Sequence, residues 1–313
     1  MKNNVQATQV TAWFLTAMIG PLLCILGKES WLTVLVVAII CGLLVSFTHR
    51  YGTQSLPKWL CIAELAWLTL FLGSIAKKSG TFWEGGSDTI IIPSVLLLLA
   101  SIATQRGAQQ TTRTGATLMW LVLPVLGIVL LAGSAEGNVK WIRNDLETPD
   151  GLLPAFLLIP CLWVFLPLQE EKQRKWVVPI LGILAVVCTC ILDATIGSSL
   201  AKESENGFYE FSRGVNIFGV AERFEALIAC CLTGGWFALF TVFLSAAYHL
   251  AQRVNENFAT WCVWLIAAIA IGSMCTLHIP HWFLPLGSLI FWVFLPIATQ
   301  GIGYAKKSVK SQE

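Results

Sequence analysis

Trp59-Leu-Cys-Ile-Ala-Glu64-Leu-Ala-Trp67-Leu-Thr-Leu-Phe71-Leu-Gly-Ser-Ile75 is an almost purely apolar run with a tryptophan at its leading edge and one ionisable side chain, Glu64, inside it. A helix needs about 20 predominantly apolar residues to cross a bilayer. Runs of this kind recur along the chain at Val10–Leu26, Trp31–Phe47, Thr89–Ala103 and Thr117–Ala132, and again at Leu152–Leu168, Trp176–Gly197, Phe224–Leu250, Phe258–Cys275 and Trp282–Thr299. Backbone polar groups have no water to bond inside lipid, so each run satisfies them internally as a helix. The expectation is an all-α membrane protein of ten transmembrane helices in one domain, residues 1–313. The fourth of these runs is the shortest.

Composition agrees. The 313 residues are 56% hydrophobic and 12% charged, against about 25% charged in ordinary soluble domains. A net charge of +2 with no basic stripe leaves no footprint for nucleic acid. The ten cysteines lie in or beside apolar runs with no CxxC pair, so they read as small core residues. No metal or other cofactor is expected. The first run has no small-residue cleavage site after it and reads as a retained span.

Ten spans place both termini on one side. Lys2, Arg50, Lys58, Arg106, Arg113, Lys172, Arg174, Lys175, Arg253, Lys306, Lys307 and Lys310 then share that side, which makes it the cytoplasm. Trp31, Trp59, Trp83, Trp141, Trp176, Trp261 and Trp282 fall near span ends, where an amphipathic ring prefers the headgroup level.

Halving the chain gives residues 1–132 and 152–300, five spans each, with a short tail at 301–313. The first span holds Gly20-Pro21 and the sixth holds Pro154 and Pro160. Proline removes a backbone donor and clashes with the preceding turn. Paired interruptions at equivalent places in two halves are the pattern of a five-plus-five inverted repeat with interrupted first and sixth helices. The plainer account is two kinks.

Glu64 is the one ionisable side chain well inside a span, and such groups mark a pathway or a paired site. It suits a proton-coupled step or a protonated carboxyl bonded to a neighbouring helix. Trp67 follows on the same helical face. Asp193, near the end of the seventh span, reads as a helix-end acid reaching interfacial water. Thr233-Gly234-Gly235 in the eighth span offers a small surface for close helix packing or the lining of a central site. His278 and His281, flanking Pro280, are too few for a metal site. Neither a catalytic triad order nor a zinc-protease or phosphate-loop motif occurs, so an enzyme is not expected.

Gln9 before the first span, Gly20 within it, Glu29-Ser30-Trp31-Leu32 at the opening of the second and Val215-Asn-Ile-Phe-Gly-Val-Ala-Glu222-Arg223-Phe224-Glu225-Ala226 before the eighth carry a resemblance. The chain resembles the spore-germination permease family, whose members are multi-span B subunits of germinant receptors in endospore-forming bacteria. That family is related to the amino acid/polyamine/organocation transporters. The Arg223-x-Glu225 pattern after Ile217-Phe218-Gly219 is its most specific element. Against the pattern, the sixth span has no glycine between Gly151 and Gly182. The resemblance implies a nutrient-sensing subunit in the bacterial cell membrane or spore inner membrane, with A and C subunits as partners and a small ligand such as an amino acid. In that reading Gly20 and Pro21 expose backbone to the ligand, Pro160 breaks the facing helix, and Glu64, Trp67 and Thr233 line the cavity. A proton-coupled amino-acid transporter and a ligand-free structural component are the alternatives.

Overall fold

A computed structural model describes residues 2–25, 29–48, 57–81, 90–143, 145, 171–203, 207–214, 221–276 and 283–295. Among them there is no strand. The helices are α1 (Lys2–Ile25), α2 (Trp31–Thr48), α3 (Lys58–Thr81), α4 (Ile91–Gln105), α5 (Ala108–Glu136), α6 (Glu171–Ile196), α7 (Ser198–Glu203), α8 (Gly207–Gly214), α9 (Ala221–Val254), α10 (Ala259–Thr276) and α11 (Phe283–Leu289). Short 3₁₀ turns at Val139–Trp141 and Glu256–Phe258 follow α5 and α9, and α11 continues as a π-helical turn, Ile290–Phe294.

Among the described residues five segments are long and apolar enough to cross a membrane: Lys58–Gly80, Gln110–Ala135, Pro179–Ile196, Ala226–Val254 and Glu256–Cys275. α2, α4 and α11 carry shorter apolar stretches. Large apolar side chains face outward along several helices, among them Leu43 on α2, Trp120 and Leu131 on α5, Ile183 on α6 and Trp261 on α10. Trp120 is 83% exposed. A water-soluble monomer rarely shows continuous apolar belts of this kind, whereas lipid is their natural solvent. The protein is thus a helical, membrane-embedded one.

α9 is the central post. Every residue from Ala238 to Ala247 is buried, and α1, α3, α4, α5, α8 and α10 all pack on it. Elsewhere α1 packs on α5, α2 on α6 and α3 on α10. The α1–α5 contact is close because Gly115 has no side chain: a Cβ there would overlap the Trp13 ring. Helices without a hydrophobic force between them gain attraction by such close backbone approach. Across the same contact Thr16 donates to the Gly115 carbonyl at 3.1 Å, and Trp13 Nε1 reaches across to Thr241 on α9 at 3.0 Å.

Several helices begin before their apolar runs. α1 starts at Lys2 rather than Val10 and α5 at Ala108 rather than Thr117, because apolar runs locate lipid-buried length while a helix continues until a residue stops it. Gly107, with φ 100°, supplies that stop ahead of α5. A further correction concerns the first span. α1 keeps helical backbone through Gly20 and Pro21, so the expected interruption there is absent. Pro124 in α5 and Pro179 in α6 likewise sit inside helices that carry on. One missing donor removes one bond from a long ladder, and helices in membranes tolerate that loss. The sixth span, with Pro154 and Pro160, lies outside the described residues, as does the tail.

Candidate functional site

Successive residues of a helix turn by about 100°, which puts Glu64, Trp67, Leu68 and Phe71 on one face of α3. All four are buried, Glu64 completely. The face meets an aromatic cluster. Trp67 stacks on Phe291 with ring centroids 5.1 Å apart and planes 3° from parallel, and it also touches Phe283 at 5.6 Å. Phe71 lies edge-on to Trp292 at 4.8 Å and stacks on Phe243 of α9 at 5.8 Å. Gly287 allows α11 this close, since a Cβ there would overlap the Trp67 ring.

Polar groups within this cluster are left without partners. Neither Glu64 carboxyl oxygen has a hydrogen bond, and the indole N–H groups of Trp67 and Trp292 have none. A buried polar atom without a partner costs about 1–3 kcal/mol, more when charged. Four such atoms on Glu64, Trp67 and Trp292 are therefore a concentration of unmet bonding capacity that packing alone does not explain.

The six residues expected to share a cavity fall into separate groups. Phe71 meets Phe243, and Arg253 acts electrostatically on Cys61, so α3 and α9 run antiparallel. In that register Thr233 lies opposite the far end of α3, roughly 25 Å along the axis from Glu64 at about 1.5 Å per residue. Its hydroxyl donates to the Ala229 carbonyl in its own helix at 2.7 Å. Gly20 and Pro21 belong to Thr233's end, because their neighbour Ile19 lines a small apolar cavity with Val122, Phe208, Ile228 and Leu232. The structure joins Glu64 with Trp67 and separates them from Gly20, Pro21 and Thr233. Pro160 lies outside the described residues, as do His278 and His281. Glu222, Arg223 and Glu225 fall on the first turns of α9.

A second polar centre was not legible in the sequence. Asp193 is fully buried, not solvated, and Arg143 from the connection after α5 holds it. Arg143 Nη2 donates to Asp193 Oδ1 at 2.9 Å, and its Nε and backbone N–H donate to Oδ2 at 3.2 and 3.3 Å. Nη2 also donates to the Glu29 carbonyl at 3.3 Å. Beside it Ser30 donates to the Asp145 carbonyl, and Asn138 N–H to the Ala194 carbonyl at 2.7 Å. One bidentate pair thus pins the α5 connection, the end of α6 and the turn before α2 together. Burial explains the correction for Asp193: a planar guanidinium replaces the water it would otherwise need. The available signal was the opposite charge of Arg143, after α5, and Asp193, near the end of α6.

No three His, Cys, Asp or Glu residues are grouped to hold a metal among the described residues. No family model matches the chain, and no curated protein matches it.

Proposed function

We propose that this protein is a ten-span, five-plus-five membrane subunit that binds a small nutrient, an amino acid in the first instance, in the sensing role its resemblance to germinant-receptor B subunits implies. A and C subunits would be its partners and a bacterial cell or spore inner membrane its location. The observation that carries ligand binding is Glu64: a fully buried carboxyl with both oxygens unpartnered, where a membrane-depth ionisable group marks a site.

Packing supports the repeat. If the second half repeats the first, α2 corresponds to α6, α3 to α9, α4 to α10 and α5 to α11. Exchange of partners then converts observed contacts into other observed contacts. α3 packs on α10 as α9 packs on α4, α3 on α4 as α9 on α10, and α5 on α9 as the rings of α11 on α3. The α2–α6, α3–α9 and α4–α10 contacts map onto themselves.

In lipid nanodiscs an amino-acid ligand at a hundred times its dissociation constant should stabilise the protein by about 2.7 kcal/mol. A screen of the standard amino acids by thermal unfolding measures this. No stabilisation by any of them favours the structural component instead. The unpaired Glu64 also favours a second reading, a proton-coupled transporter, which proteoliposome uptake of labelled amino acid separates from a receptor.

Orientation is tested independently. Reporter fusions after Lys175 and at Lys306-Lys307 should read as cytoplasmic, and fusions near Lys140 and Lys202 as external, since Lys and Arg in short connections orient spans. Two reversals would sink the ten-span arrangement.

A further inference from the structure

Unpartnered groups in the α3–α11 cluster have a definite chemical complement. Glu64 offers two acceptor oxygens and no donor when ionised. Beside it on the same face stands an aromatic wall of Trp67 and Phe71, extended by Phe283, Phe291 and Trp292. A hard metal ion would need several more oxygen ligands than one carboxylate supplies. A hydroxyl could fill one acceptor but would leave the carboxylate's charge uncompensated in an apolar setting. A primary ammonium answers both demands, giving N–H donors to the oxygens and positive charge to ring faces. The free indole N–H groups of Trp67 and Trp292 can then take an oxygen of the same ligand.

We propose that Glu64, on the face of α3 that Trp67 shares and that Trp292 covers further along at Phe71, is a binding site for the primary ammonium group of an organic ligand, set between α3 and α11 and away from Gly20, Pro21 and Thr233. This rests on the nutrient-binding reading and adds where the ligand sits and which of its groups is recognised. The rings are packed together, so binding separates Trp67 from Phe291. The π-helical turn that carries Phe291 and Trp292 is the element that yields, since such turns interrupt regular helical bonding and recur at functional sites.

Ethanolamine and ethylene glycol provide the test, because they differ in replacing an ammonium by a hydroxyl. With the full-length protein in nanodiscs, ethanolamine should raise the unfolding temperature and change tryptophan emission. Ethylene glycol at the same concentration, and sodium chloride at the same ionic strength, should be at least about ten-fold less effective, the scale expected when a buried charge loses its partner. Glu64→Gln should remove the ethanolamine response while leaving the ligand-free unfolding temperature close to that of the native protein. Trp292→Phe, which keeps a ring but removes the N–H, should weaken it several-fold and carries the test if Glu64→Gln does not fold. An equal response to ethylene glycol, or an ethanolamine response unaltered by Glu64→Gln, overturns the site. So does an ethanolamine response unaltered by Trp292→Phe where Glu64→Gln is unfolded. Silence towards ethanolamine alongside stabilisation by an amino acid overturns the ammonium site and leaves nutrient binding standing. Silence towards ethanolamine and every amino acid overturns both.

Discussion

Asp193→Asn and Arg143→Ala should each destabilise the protein by about 3–5 kcal/mol, the cost of removing one partner from a buried ion pair. The size follows from burial: Asp193 is wholly enclosed and only 10% of the Arg143 side chain is exposed. Arg143→Ala should be the worse of the two. It strands a carboxylate that accepts three bonds from Arg143, two from the side chain and one from the backbone, whereas the amide introduced by Asp193→Asn would keep an acceptor for Arg143. Replacing both residues together, as Arg143→Met with Asp193→Leu, should recover most of the loss, because the desolvation cost disappears with both charges. Unfolding in mixed micelles of the native protein, Arg143→Met, Asp193→Leu and the double variant closes a cycle that measures the coupling. Single substitutions within about 0.5 kcal/mol of the native protein, the range of ordinary surface changes, would show that the pair does not hold the connection after α5.

Gly115→Val should be comparably damaging, at about 3 kcal/mol, near the upper end of what overpacking costs. The added Cβ would overlap the Trp13 ring, and that ring cannot swing aside freely because Trp13 Nε1 bonds Thr241 and the whole side chain is buried. α1 and α5 must therefore part, which also breaks the bond from Thr16 to the Gly115 carbonyl. Gly127 on the same helix is the matched control, having nothing within 4 Å of the place a Cβ would occupy. Gly127→Val should be close to neutral, and combining Gly115→Val with Trp13→Leu should restore part of the loss. Equal yields and unfolding temperatures for the two glycine variants would remove the case for a close α1–α5 contact.

Helix identity was legible because lipid imposes a uniform requirement: each apolar run among the described residues lies on a helix. Glu64 stood out as an ionisable side chain inside such a run, and it is fully buried. What one run cannot show is its register against another. Glu64 and Thr233 both looked central, yet the antiparallel pairing of Phe71 with Phe243 sets them near opposite ends. Asp193 was misread for a related reason. Its partner lies in a polar connection, and no periodicity says which connection folds back onto which helix end. Pro21 misled because a missing donor looks alike in sequence whether the helix unwinds or continues, and α1 continues.

α9 has a consequence for the order of events during synthesis. The helix on which α1, α3, α4 and α5 close begins at Ala221, so it leaves the ribosome after all of them. Until then Trp13 has no Thr241 to bond and Phe71 has no Phe243 to stack on. The earlier helices can already pair, as α1 does with α5, but their α9-facing sides stay against lipid until that helix inserts, and the bundle closes around the late arrival.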